Sequence, residues 1–202
     1  MKKRSKMLDK LHDKMECFFG FFGVIIAGIF VITAAFLTPG YNPIFNNVSD
    51  LLGGTAKSLF SIGFVIGGSL GIPFYIYLER KLTGINEIIR RIATGVSIFT
   101  CVCIALVAIG PEGAYPDLYM VFHGFVAFIS FVGSVTYIGF FSILMIRDEN
   151  TYFPKYYAYF GFIIVIVLGI YYLTLSLPLI QWTLTILILA WILLISTHLI
   201  LH

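Results

Sequence analysis

The sequence predicts an all-α integral membrane protein: a six-transmembrane-helix bundle with both termini cytoplasmic (N-in/C-in) and a polar outer loop cap. Three observations carry that expectation. Six uninterrupted apolar stretches fill most of the chain, at about 17–38, 58–78, 92–109, 118–146, 157–177 and 182–201, and about 20 apolar residues let a helix cross the hydrocarbon core. Each stretch is apolar on every face, whereas helices of water-soluble cores are amphipathic. The basic residues, finally, are confined to alternate loops. Apolar residues make up 59% of the chain and charged ones 11%, about half the ordinary charged share. Six spans leave no room for a soluble domain, so 1–202 is read as a single membrane domain.

Of the thirteen Lys and Arg residues, six (Lys2, Lys3, Arg4, Lys6, Lys10, Lys14) precede the first span. Arg80, Lys81, Arg90 and Arg91 fall in the second connection, Arg147 and Lys155 in the fourth, and only Lys57 lies on the opposite side. Loops rich in Lys and Arg remain cytoplasmic, which places both termini inside. Topology thus accounts for the net charge of +3, and no nucleic-acid partner is expected. In the arm 1–16, Met7, Leu8, Leu11 and Met15 recur at helical spacing among charged residues. That pattern predicts a short interfacial helix lying on the cytoplasmic leaflet. The charged region and the apolar run behind it are both too long for a cleavable signal peptide.

The first span carries Gly20, Gly23, Ala27 and Gly28, and the second Gly63, Gly67 and Gly71 at four-residue spacing. Such small residues let helices approach closely in lipid, within one chain or between two copies. Pro73 removes a backbone hydrogen bond and is expected to kink the second span. The first outer loop should hold a short helix: Asn46, Asn47 and Ser49 are good N-caps ahead of Val48, Leu51 and Leu52, and Gly53-Gly54 is a stop signal. The amides of Asn42, Asn46 and Asn47 suit non-helical backbone near the bilayer, which lipid cannot satisfy. In the fourth span Tyr119, His123, Ala127, Ser130, Ser134 and Tyr137 share one face, predicted to look into the bundle. Pro178–Gln181 reads as a tight turn that makes spans five and six a hairpin. Cys17, Cys101 and Cys103 imply neither a disulfide nor a metal framework.

His123 stands out as an ionisable side chain well inside a span, about 9 Å below Asp117 along the helix axis. Intramembrane ionisable groups generally face a partner or water. Asp50 paired with His123 could orient a general base, and Asp50, Glu112, Asp117 and His123 together could offer a divalent cation hard oxygens and one imidazole. The structural alternatives are that Asp117, after Pro116, caps its helix, that Asp50 does the same in the loop, and that His123 bonds a loop carbonyl. No nucleophile elbow, zinc-protease motif or phosphate-cradling loop is present. No span has an acidic or basic residue near its centre, which disfavours ion-coupled transport. No cofactor is expected.

Asn46-Asn47-Val48-Ser49-Asp50-Leu51 is followed by Ser58-Leu59-Phe60-Ser61-Ile62-Gly63, then by Gly110-Pro111-Glu112 ahead of His123, with Trp191 in the last span. In these features the chain resembles the prokaryotic membrane family known as domain of unknown function 998. That family's pattern reads approximately Asn-x-x-Ser-Asp-Leu-Gly before a Leu-Phe-x-x-Gly helix. Leu52, between Leu51 and Gly53, departs from it, as does Ser61 where the family often carries Asn. The resemblance implies a multi-pass protein of a prokaryotic cell (cytoplasmic) membrane and marks Asn46, Ser49, Asp50 and His123. The family is in turn similar in architecture to the eukaryotic FRAG/DRAM/SFK six-span proteins, associated with lipid remodelling, autophagy and lipid asymmetry, which implies a lipid-linked role by analogy.

Three functions are compatible with this reading. The first is a non-enzymatic protein that binds a membrane lipid, or a membrane protein partner or second copy, through the outer cap, with Asn46, Ser49, Asp50, Asp117, Tyr119 and His123 as ligand-binding candidates. The second is a lipid-modifying enzyme using His123 and Asp50. The third is a passive facilitator of a small apolar solute along the Ser130–Ser134 face.

Overall fold

The computed structural model describes residues 2–109, 116–149, 152–173 and 177–202, and among them every regular element is helical. The elements are α1 (Lys2–Leu37), a short 3-10 helix η1 (Val48–Gly53), α2 (Lys57–Lys81), α3 (Glu87–Val107), α4 (Pro116–Arg147), α5 (Lys155–Leu173) and α6 (Pro178–Leu201). Six of these helices are long and apolar enough to cross a membrane.

The boundaries differ from expectation in three informative places. The arm and the first span form one continuous helix, α1, rather than a separate interfacial helix followed by a span; no Gly or Pro interrupts the chain between Lys2 and Phe19. α3 begins at Glu87 because Asn86 caps it, its side chain accepting from the Ile89 N–H at 3.1 Å. Pro178–Gln181 is not a turn but the first turn of α6; proline at the first helical position has its φ preset and lacks only an N–H that would be unpaired there anyway. Residues 174–176, which complete that connection, lie outside the described residues.

Consecutive helices pack against one another, and α1 also meets α6, so the six close into a ring. The close approaches follow the small residues. An added Cβ at Gly23 would lie 3.0 Å from Leu70 Cβ, and one at Gly67 3.1 Å from Ala27 Cβ, so these positions set the α1–α2 contact. Gly68 and Gly71 instead meet Cys101 of α3. The four-residue spacing in α2 drifts by about 40° per step, which is why Gly71 has rotated away from the α1 face that Gly63 and Gly67 share. α2 runs unbroken through Pro73.

Two apolar cores form at different depths. One, around Phe74, Tyr75, Tyr137, Phe141, Leu144 and Trp191, fills the half of the bundle nearest the chain termini. The other, around Val31, Ala34, Val48, Leu51, Phe60, Val107 and Trp182, lies under η1. At the terminal end, charged groups lace the helices together. Arg80 pairs with Glu16 of α1, and buried Arg90 pairs with Glu79 of α2 and, at 2.5 Å, with Glu87. His198 Nε2 meets the Tyr152 carbonyl at 2.9 Å, and Trp191 Nε1 donates to the Tyr157 carbonyl at 3.1 Å.

Candidate functional site

The loop after α1 builds a roof across one end of the ring. Asn42 and Asn46 satisfy its irregular backbone: Asn46 Oδ1 accepts from the Asn42 N–H and Asn42 Oδ1 from the Ile44 N–H, both at 2.9 Å. Asp50 Oδ2 accepts from the Asn47 N–H at 2.8 Å and so closes the start of η1. The roof is then fastened to α6. The buried Val48 N–H donates to Gln181 Oε1 at 2.8 Å, and Gln181 Nε2 donates to the Tyr171 hydroxyl of α5 at 3.3 Å. Trp182 Nε1 donates to the Tyr41 hydroxyl at 2.9 Å, which donates to the Asn47 carbonyl at 2.7 Å.

Beneath the roof, between the two cores, lies an apolar cavity of about 200 Å³ walled by α1, α2, α3, α4 and α6. Val48, Ser49, Gln181 and Trp182 line its roof end; Tyr75, Cys101, Tyr137 and Ile192 line its far end. There the Tyr75 hydroxyl donates to that of Tyr137 at 2.6 Å, both residues being 1% exposed. That pair forms a closed floor. The middle wall is smooth, with Ala27, Gly67 and Ala127, and Ser130 turns its hydroxyl back to the Val126 carbonyl at 2.7 Å.

Beside η1, a more open cleft of about 780 Å³ is lined by Ser49, Asp50, Lys57, Ser58, Ser61, Tyr119 and His123, among others. The structure therefore brings together Ser49, Asp50, Tyr119 and His123 of the residues selected from sequence. Asn46 and the exposed Asp117 line neither space, and Asp117 sits in the first turn of α4, where a carboxylate meets the positive end of the helix dipole. Glu112 lies outside the described residues. The polar face of α4 points inward but is divided: Ala127, Ser130, Ser134 and Tyr137 line the cavity, Tyr119 and His123 the cleft.

His123 lies against the backbone of Val107 and within electrostatic reach of Asp50, with the Tyr119 hydroxyl 3.5 Å from its Nδ1. No hydrogen bond joins it to Asp50, whose Oδ2 is engaged within η1. Among the described residues no three His, Cys, Asp or Glu side chains converge on a point where they could hold a metal ion. The residues that sequence reading missed are Tyr41, Gln181, Trp182 and Tyr75, the last being the partner of Tyr137 on the inward face of α4. Gln181 had a visible signal, a lone amide in an otherwise apolar segment, but nothing local named its partner.

Tyr41 supplies a pH dependence outside the spans. Burial, with a smaller contribution from the Asp50 charge, pushes its phenol up from 10.0 to about 12, against the opposing effect of the Trp182 hydrogen bond. A raised folded-state value means that the neutral phenol stabilises the roof fully below pH 10 and that this contribution is lost as pH rises through about 12. Trp182 fluorescence should therefore hold steady to pH 10 and change between there and about 12, a step that Tyr41→Phe abolishes. A step of unchanged size in Tyr41→Phe would assign it elsewhere.

No curated protein and no solved structure matches the chain. A family match does exist, over residues 21–198, from the first span to the end of the last, and the family's description is Protein of unknown function (DUF998). The chain belongs to the DUF998 family.

Proposed function

We propose that this protein is a non-enzymatic lipid-binding protein of the cytoplasmic membrane, oriented with η1 outside, that holds the hydrocarbon part of a membrane lipid in the cavity under the roof. The orientation follows from the basic residues, which crowd the end opposite η1. The observation that carries the reading is the apolar cavity between two separate cores. An empty apolar cavity leaves its lining without van der Waals partners, and a hydrocarbon chain restores those contacts.

The other readings are less well supported. General base catalysis needs donor and acceptor within about 2.6–3.2 Å, and Asp50 makes its hydrogen bond to Asn47 instead of His123. A facilitator needs a continuous path, whereas the Ser130–Ser134 face ends at the Tyr75–Tyr137 floor with Phe74, Phe141 and Leu144 packed beyond it.

Native mass spectrometry of wild-type protein extracted from its own membranes tests the reading. A lipid adduct should persist through exchange into delipidating detergent, and its forced removal should lower the unfolding temperature. Bare protein of unchanged thermal stability would argue against it.

A further inference from the structure

The α1–α6 contact differs from the other seams of the ring in being part of the cavity wall and of the outer surface at once. Ile32 of α1 and Ile186 of α6 both line the cavity, yet are 54% and 57% exposed. Gly28, one turn from Ile32, also lines it, and a Cβ added there would meet nothing within 4 Å. Gly20 and Gly23 on the same helix have no such space, because Phe74 and Leu70 fill it. The cavity therefore reaches the lipid-facing side between α1 and α6. Thr185 on this seam spends its hydroxyl on the Gln181 carbonyl at 2.9 Å, leaving the opening without an unpaired donor. From above, by contrast, the way in is barred by the Val48–Gln181 and Tyr41–Trp182 hydrogen bonds.

We propose that the cavity takes a single hydrocarbon chain of an outer-leaflet lipid, which enters sideways from the bilayer between α1 and α6, its headgroup remaining at the membrane surface. This deepens, and rests on, the lipid-binding reading above. Size restricts the occupant: an apolar cavity of about 150 Å³ takes a benzene molecule, so about 200 Å³ takes part of one chain and excludes a pair. From Gly20 to Ile32 the wall runs about 18 Å along the helix axis, so a chain entering near Ile32 lies parallel to the helices and points toward the floor. Depth agrees, since Ile32 lies about 7 Å below the end of α1, within the outer half of the bilayer.

The test uses the full chain reconstituted in phosphatidylethanolamine–phosphatidylglycerol vesicles containing a palmitic acid analogue with a diazirine on its terminal carbon. After illumination, peptide mapping should find adducts on cavity-wall residues Gly67, Cys101 and Ser130, and, with a twenty-carbon analogue that spans the roughly 25 Å from the end of α1 to the level of Gly20, on the floor residues Tyr75 and Tyr137 as well. Gly28→Phe and, independently, Ile186→Trp should lose them, while Gly28→Ala keeps them. Ile186→Trp changes a site already facing lipid, so it decides the matter should Gly28→Phe fail to fold. Cavity adducts undiminished in a folded, plugged variant would overturn sideways entry. Adducts confined to η1 and the bundle exterior would overturn occupation of the cavity by the chain while leaving lipid binding intact. No adducts, together with no lipid co-purifying from native membranes, would overturn both readings.

Discussion

Replacing Gly68 by alanine should destabilise the bundle by about 3 kcal/mol, the upper part of the usual range for overpacking, while the same replacement at Gly28 should be neutral or stabilising. The two glycines sit in helices that cross the same bilayer, and composition does not tell them apart. At Gly68 the new Cβ would lie 2.5 Å from the Cys101 carbonyl oxygen and 3.1 Å from the Ala105 backbone nitrogen. Backbone atoms cannot rotate aside, so α2 and α3 must separate. In lipid, where no hydrophobic force presses helices together, lost close packing is not recovered elsewhere. At Gly28 the Cβ meets nothing within 4 Å, and alanine is preferred to glycine in a helix by about 1 kcal/mol. Unfolding temperatures measured in one detergent check the pair, and equal shifts would mean that the α2–α3 contact is not set by Gly68.

Gln181→Leu should release the roof without unfolding the ring. The Val48 N–H is buried, with the residue 3% exposed, and its partner is the Gln181 side chain. Leucine removes that acceptor and leaves a buried donor unpaired, at a cost of about 2 kcal/mol. The effect is local because η1 makes most of its contacts with α2 and α6. Hydrogen exchange of the η1 amides should accelerate by roughly thirtyfold, with amides in the middle of α2 and α4 unaffected. Trp182→Phe should act more weakly, since Tyr41 keeps its bond to the Asn47 carbonyl. Exchange in η1 that is unchanged in Gln181→Leu would show that the roof is held by something other than α6.

The spans were legible because lipid imposes a simple rule: a run of apolar residues long enough to cross, apolar on all sides, between loops sorted by charge. The 3-10 helix was legible from Asn47 before Val48 and from Gly53-Gly54 after it, both local signals. What failed was also local. Pro178–Gln181 carries the residues of a turn and the residues of a helix start, and only the rest of α6 decides between them. The roof contacts were illegible for a different reason. Val48 and Gln181 are separated by 133 positions, and Tyr41 and Trp182 by 141, and no periodicity relates residues so far apart. The inward face of α4 was evident from spacing, but its division into a cavity half and a cleft half depends on η1 reaching over it. Asp50 and His123 were placed in one cleft, as their position above and within the bundle suggested, yet the carboxylate closes η1 instead of meeting the imidazole. Gly28 looked like one more packing glycine beside Gly20 and Gly23, and its difference is the neighbour it lacks.

An experimental structure of the wild-type protein in discs cut directly from its native membrane, examined at the cavity, tests the central claim most directly. The account predicts elongated density running from the level of Ser49 to the Tyr75–Tyr137 floor, narrow enough for one chain and leaving between Gly28 and Ile186. A cavity holding only ordered water, or one closed by α1 collapsed against α6, would contradict it.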